Sequence, residues 1–219
     1  MSARTRIIDA AMLVFRLHGF RRSSIEQAAE AAGLTRQALY HHFKSKEALF
    51  RAVIERLHEE ALAAEIEAAD AAEKAGGSLA DILVASVSAK LGQLAASLDG
   101  SPHVEELFSE HLVQARDLYQ KYAALYAEQL AATITRICCK QDLTLNAAMT
   151  PRDLARCVEM AVNGTKSAYP ALQPAGAFLR DLEIMLRTLI AGAVGPAKQP
   201  TATQPKPARK STRKSGDRR

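Results

Sequence analysis

The stretch SIEQAAEAAGLTRQALYHHF, residues 24–43, decides how this chain is organised. Ser24 is a good helix N-cap, because its hydroxyl can take one of the unpaired N–H groups of a first turn. Gln27, three residues on, completes a capping box, and Ser23 with Glu26 offers the same pattern one residue earlier. Ile25, Ala28, Ala29 and Ala32 recur at helical spacing and form one apolar face. Gly33 then stands where the chain must leave the helix, and glycine adopts the left-handed conformation without steric cost. Thr35 caps a second short helix in which Leu34, Ala38, Leu39 and Phe43 point inward. That leaves Arg36, Gln37, Tyr40 and His41 on the outer side. Two short helices about a glycine turn make the helix-turn-helix pattern, whose second helix enters a DNA major groove. An ordinary helical hairpin with a solvated polar face has the same local signature.

The flanks separate the two. RIIDAAMLVF (6–15), Gly19-Phe20 and LYHHFKSKEAL (39–49) closely resemble the N-terminal domain of the TetR family of bacterial regulators, from about Arg6 to Val53 without a gap. The resemblance implies an all-α chain of about nine helices. Three build an N-terminal helix-turn-helix domain over 1–47, and the rest build a ligand-binding and dimerisation domain over 48–194. A basic tail over 195–219 completes the chain.

Charge is partitioned in the same way. The overall +5 divides into eight Lys/Arg against four Asp/Glu in 1–50, thirteen against nineteen in 51–195, and eight against one in 196–219. The reader and the tail are therefore positive and the body acidic, as a chain with one nucleic-acid-facing end requires. Hydrophobic residues at 48% and charged residues at 24% are ordinary for a globular domain. No apolar run reaches the ~18 residues of a membrane span, and no basic-then-apolar leader opens the chain, so a cytoplasmic location without membrane contact is expected. Cys138, Cys139 and Cys157 are too few for a disulfide framework. Neighbouring residues on a helix face different ways, and the three are read as buried structural cysteines.

Along the chain, a first helix is expected from Ala3 to His18, ended by Gly19. Ser45 caps a long fourth helix to Lys74, and Gly76-Gly77 and Ser78 open a fifth that ends near Leu98. The segment 103–140 is helical in period, with a break near Arg116 to Leu118. Thr150-Pro151 starts a helix to Ala168, residues 169–174 form a loop, and a last helix covers 177–193. No strand alternation is seen. From Gly195 onward, Pro196, Pro200, Pro205 and Pro207 alternate with basic and small polar residues, a composition that predicts disorder. Such a basic tail either adds non-specific DNA affinity or merely solubilises the chain.

By matched position the resemblance implies a DNA interface. Ser24 donates to a phosphate, and Thr35 contacts backbone or base. Arg36 reads a base, since its guanidinium matches guanine O6 and N7. Tyr40 and His42 contact phosphate or sugar, His41 lies near the groove wall, and Lys46 adds its charge to a helix N-terminus aimed at the backbone. Many family members have glycine where this chain has Gln37, so Gln37 is expected to read a base as well. The position of Ala28 is usually larger and branched. His41 and His42 diverge on the helix and are not read as a metal site.

The implied partners are a palindromic double-stranded operator, a second copy of the chain and a small-molecule effector. The dimer is expected from helices 151–168 and 177–194, whose apolar positions Leu154, Val158, Val162, Leu179, Leu182, Met185, Leu186 and Ile190 serve either interface or core. Candidate pocket groups are the polar residues on otherwise apolar helices: His58, His111, Gln114, Tyr122, Tyr126 and Asn163. They suggest a hydrophobic or aromatic effector. No nucleophile elbow, phosphate-binding glycine loop, zinc spacing or carboxylate pair marks an enzyme, and no cofactor is expected. The competing function is a small-molecule-binding or protein-interaction module whose helix-turn-helix makes no specific DNA contact.

Overall fold

The computed structural model describes residues 2–146 and 149–196. The tail predicted beyond Gly195 therefore lies, from residue 197 on, outside the described residues. Among the described residues nine helices form an all-α body: α1 (Ala3–Arg22), α2 (Ile25–Ala31), α3 (Arg36–His42), α4 (Lys46–Lys74), α5 (Leu79–Leu98), α6 (Val104–Gln114), α7 (Arg116–Lys140), α8 (Pro151–Ala168) and α9 (Ala175–Ala193).

Six of these helices (α1 to α5 and α8) start where a short polar side chain takes a free N–H. Ser24 Oγ accepts from Gln27 N at 3.2 Å while Gln27 Oε1 accepts from Ser24 N at 2.8 Å, the reciprocal box expected from the sequence. Thr150 with Asp153 and Ser78 with Asp81 repeat it at α8 and α5. Gly33 closes α2 with φ +67°. Within α1, Gly19 has φ +75° and turns the chain, so the regular helix stops there as expected and a last turn of Phe20 to Arg22 swings towards α2.

Two cores hold the molecule. The first gathers Ile7, Phe15 and Phe20 of α1, Leu39 of α3, and Leu49 and Phe50 of α4. The Phe15 and Phe50 rings meet edge-on with centroids 5.2 Å apart, and Phe20 approaches Phe50 at 4.7 Å. Leu107 of α6 and Leu118 of α7 belong to the same cluster. The helix-turn-helix unit is thus continuous with the body rather than hung from it. The second core is built by α5, α7, α8 and α9 around Leu83, Leu91, Ile134, Leu154, Phe178 and Leu182. By length and composition α5 is apolar enough to cross a membrane, and here its apolar positions Ile82, Leu83, Val87 and Leu91 are buried in this core.

Several expectations are corrected. The break inside 103–140 falls at Ala115, one residue early, because Ala115 leaves helical geometry (φ −139°, ψ 33°) and is fully buried where α6 and α7 meet. α9 begins at Ala175, directly after Pro174. Two short strands were missed: β1 (Leu143–Leu145) and β2 (Val194–Pro196) pair antiparallel, Thr144 opposite Gly195. Three residues are too few to show alternation, and the pairing joins segments far apart in sequence. β2 also carries the ordered body past the expected boundary at 194. The cysteines are not buried: Cys139 is exposed and Cys138 and Cys157 are half-buried, because they lie at the edges of their helices' apolar stripes.

Candidate nucleic-acid interface and internal cavity

α3 is held by its inner side, with Leu39 fully buried and Ala38 and Tyr40 half-buried. Arg36, Gln37, His41 and His42 are exposed, as the helical spacing required. Thr35 Oγ1 caps the helix by accepting from Ala38 N at 3.2 Å. The Arg36 guanidinium is not free: Nε sits 2.7 Å from Glu26 Oε1 on α2, and the group lies over the Tyr40 ring at 5.4 Å. The pair uses only Nε, so the terminal nitrogens of this exposed guanidinium still face outward.

Lys46 is used differently from the expectation. Its Nζ donates to the carbonyls of Phe20 at 2.9 Å, Arg21 at 3.3 Å and Ser23 at 3.1 Å, and it lies 4.5 Å from the Phe20 ring centroid. The side chain ties the α1–α2 turn to the start of α4. What faces outward there is the N-terminus of α4, capped by Ser45, which accepts from Ala48 N at 3.1 Å. Ser24 uses its oxygen for the cap, and its hydroxyl also hydrogen-bonds the Glu26 carboxylate, which the Glu26 backbone N–H and then this bond help to hold below its ordinary range.

Inside the body, a cavity of about 300 Å³ opens between α1, α4, α5, α6 and α8. Phe15, Phe50, Leu57, Leu107 and Phe108 give it apolar walls, and His58, His111, Asn163 and Lys166 supply most of its polarity. A smaller chamber of about 150 Å³ adjoins it and shares His58, Asn163 and Lys166. Of the six pocket residues expected from the sequence, His58, His111 and Asn163 line the larger chamber and Tyr126 the smaller one. Tyr122 stacks flat on His58, with centroids 4.7 Å apart and planes 9° from parallel. Gln114 is elsewhere: it donates to Glu110 at 3.1 Å, because the last turn of α6 carries it away from the cavity. Lys166 was missed. It lies three residues after Asn163, one turn along the same face of α8, and that spacing was the available signal.

The polar end of the cavity has a defined hydrogen-bond order. Tyr126 O–H donates to the His58 carbonyl at 3.1 Å, so its oxygen is left to accept from His58 Nδ1–H, also at 3.1 Å. His58 Nε2 must then accept, and its partner at 3.2 Å is His111 Nε2, which carries the proton. His58 is therefore neutral in this arrangement, and burial disfavours a charge on either ring. Burial, then the neighbouring His111, pushes His58 down to about 3, and burial pushes His111 down to about 4.

α6 reaches both sites. On its inner side Leu107, Phe108 and His111 face the cavity, while Glu106 accepts from Arg21 N at 2.7 Å and Glu110 from Arg21 Nε at 2.9 Å. Burial raises the Glu110 carboxyl, but the hydrogen bonds from Gln114 and Arg21 outweigh it and leave the group lowered. At the α6–α7 junction Arg51 grips Asp117 with two bonds of 2.7 and 2.6 Å and donates to the Gln114 carbonyl at 2.8 Å. Those bonds bring Asp117 down to about 2.

On α8 and α9 the apolar positions divide. Leu154, Val158, Val162, Leu182, Leu186 and Ile190 are core, and Leu179 is half-buried. Met160, Ile184 and Met185 are 63%, 60% and 47% exposed beside the exposed small residues Gly164, Ala191 and Gly192.

Residues 7–53 match the family model of bacterial regulatory proteins, tetR family. The same end of the chain is 43% identical over 60 residues to the HTH-type transcriptional regulator UidR of Escherichia coli, covering 27% of this chain and 31% of UidR. It is also 43% identical over 56 residues to TtgR of Pseudomonas putida, covering 26% and 27%. The chain thus aligns with less than a third of the length of these relatives. In fold it resembles SmeT, the repressor of the Stenotrophomonas maltophilia multidrug efflux pump SmeDEF, with a TM-score of 0.60 and 23% identity over 95% of this chain and 98% of that one. It also resembles the fatty acid degradation regulator FadR of Bacillus halodurans, with a TM-score of 0.67 and 17% identity over 88% and 96%. Residues 7–53 thus carry an N-terminal domain of the tetR family of bacterial regulatory proteins, and along its length the chain shares the fold of these solved regulators.

Proposed function

We propose that the chain is a dimeric, sequence-specific DNA-binding transcriptional regulator of the cytoplasm, a repressor released from its operator by a small molecule, and not an enzyme. The observation that carries this is the double use of α6, which lines a cavity with Phe108 and His111 and holds the α1–α2 turn through Glu106 and Glu110. A ligand that fills the cavity displaces α6, and Arg21 and the reading helices follow. In thermodynamic terms the ligand prefers the form that does not fit DNA.

One recognition helix reads only a few base pairs, so two copies on a palindrome, with half-sites about 34 Å apart, supply the specificity. The exposed Met160, Ile184 and Met185 beside small residues support a helical dimer face on α8 and α9. Ser24, Thr35, Arg36, Gln37, Tyr40, His41 and His42 with the α4 N-terminus form the DNA interface.

The test is fluorescence anisotropy of the full chain with DNA from just upstream of its own coding region, against a scrambled duplex, at several salt concentrations. Tight binding to the native fragment, lost in an Arg36→Ala, Tyr40→Ala variant, is expected. Absence of binding to either duplex at low salt overturns the reading and leaves a helical ligand-binding or interaction module.

A further inference from the structure

Lys166 is the one feature of the cavity that its lining does not neutralise. Its ammonium has no ion pair and no hydrogen-bond acceptor among the described residues. Lys90, the other cation of the smaller chamber, is already engaged: its Nζ lies 3.6 Å from Glu65 and 4.3 Å from the Tyr126 ring centroid. The remaining titratable groups there leave Lys166 uncompensated. From α4 and α6, His58 and His111 are neutral, and from α7 Tyr126 is pushed further towards its protonated form by burial. Tyr119 of α7 also lines both chambers, and Glu159 sits two turns earlier on α8 without an ion pair to Lys166. Burial, and then Lys90, brings Lys166 down to about 8, so it still carries its charge at neutral pH. Lys166 is half-buried and Asn163 beside it is exposed at the mouth of the site; a partly desolvated charge without a partner is costly, and an anion in the cavity relieves that cost.

Away from His58, His111, Asn163 and Lys166 the walls are mostly apolar. Phe15, Phe50, Leu57, Leu107 and Phe108 offer only dispersion and exclusion of water. Asn163 lies in the same seam as Lys166, between the two chambers, and its amide can donate beside the ammonium. At ~30 Å³ per water in the liquid, the larger chamber holds roughly ten water-sized groups.

We propose that the cavity binds an apolar carboxylate, its carboxylate on Lys166 and Asn163 and its hydrocarbon body against Phe15, Phe50, Leu57 and Phe108. The proposal rests on the reading of this cavity as the effector site and deepens it. The shared chemistry is one carboxylate on a hydrocarbon of about ten carbon atoms, matched to the chamber volume. An acyl chain and a fused aromatic acid both meet it, and the test separates them.

The experiment is calorimetric titration of the full chain, without DNA, with decanoate, 2-naphthoate, decan-1-ol and decyltrimethylammonium at pH 7. At least one of the two carboxylates is expected to bind tenfold or more tightly than decan-1-ol, and the cation not at all. Whichever carboxylate binds better identifies the body as chain or ring. Lys166→Met keeps the apolar stem, and should bring the carboxylate to the level of the alcohol while leaving alcohol binding intact. Lys166→Arg should keep the preference. In the parent the carboxylate should weaken at least fivefold between pH 7 and 9.5, as Lys166 loses its proton, and in Lys166→Met it should not. Equal binding of alcohol and carboxylate, a preference that survives Lys166→Met, or no carboxylate binding overturns the proposal. None of these results bears on operator binding, which is measured separately, so the two readings fail independently.

Discussion

Arg21 donates its backbone N–H to Glu106 Oε1 at 2.7 Å, and this bond crosses from the turn before the reading helices to the helix that lines the cavity. The Glu106 carboxylate can lie there because Gly19 has no side chain: a Cβ at Gly19 would collide with it, and φ +75° disfavours one in any case. Gly19→Ala should therefore cost ~2 kcal/mol of stability, part from the backbone and part from the collision. In a Glu106→Ala background the same substitution should cost only ~1 kcal/mol, the backbone part alone. Urea unfolding of the four proteins measures the coupling. Strict additivity would mean that the carboxylate and the glycine do not constrain each other.

The ion pair of Arg36 with Glu26 makes a second expectation specific. Arg36→Ala should weaken operator binding by ~1–3 kcal/mol, the range of a good bidentate base contact. Gln37→Gly should instead change which operator variants are preferred. Glu26→Gln frees the guanidinium and removes a negative charge, so binding to scrambled DNA should rise while discrimination falls. Anisotropy against a panel of single-base operator variants reads all three. A uniform loss across the panel for Gln37→Gly would show that this side chain does not read a base.

His58 and His111 predict an acid limb. Both are held neutral in the folded protein, at about 3 and about 4, whereas the unfolded chain protonates them near 6.5. Between those values the unfolded state binds more protons, so stability falls as pH drops below ~6.5, by up to ~1.4 kcal/mol per pH unit for each ring. From pH 7 to 5.5 the loss should be about 2 kcal/mol. A His58→Gln, His111→Gln variant, compared by urea unfolding at the two pH values, should lose less between them. An equally steep decline in the variant would place the titration elsewhere.

Lys46 offers a direct choice between a structural and a phosphate role. Its Nζ is occupied by the carbonyls of Phe20, Arg21 and Ser23. Lys46→Met keeps the stem near Phe20 and strips those acceptors, so a loss of ~1–2 kcal/mol in stability is expected with the salt slope of DNA binding unchanged. If the ammonium neutralised a phosphate, the slope of log affinity against log salt would fall by about one instead.

Local structure was legible in the sequence because it is set by near neighbours. The Ser24–Gln27 box, the left-handed Gly33, the Thr35, Ser45 and Thr150 caps and the exposed side of α3 all follow from spacings of three or four residues. The helix count, the breaks at Gly19 and Gly76 and the family resemblance rest on the same short-range order. The three-residue β1–β2 pair was not readable, since neither strand shows a period and each exists only through the other. The cysteines were misjudged because a helix edge and a helix core differ only in what packs beside them.

Side-chain employment was decided by tertiary structure. Nothing near Lys46 in sequence says that it is turned back onto carbonyls more than twenty residues away. Leu154 and Met160 are both apolar residues of α8, yet one is core and the other surface, because α8 packs against α7 and α9 with only one of its sides. His58 and His111 were recognisable as polar residues on apolar helices. Their proton order came from the contact at 3.2 Å and from Tyr126, and the uncompensated charge of Lys166 came from a packing whose nearby acids, Glu65 and Glu159, make no ion pair with it. The sequence by itself determined the elements and the exposed side of α3, whose interactions are local. Only the packing of distant helices determined which polar groups share a buried space, and with them the chemistry of the cavity.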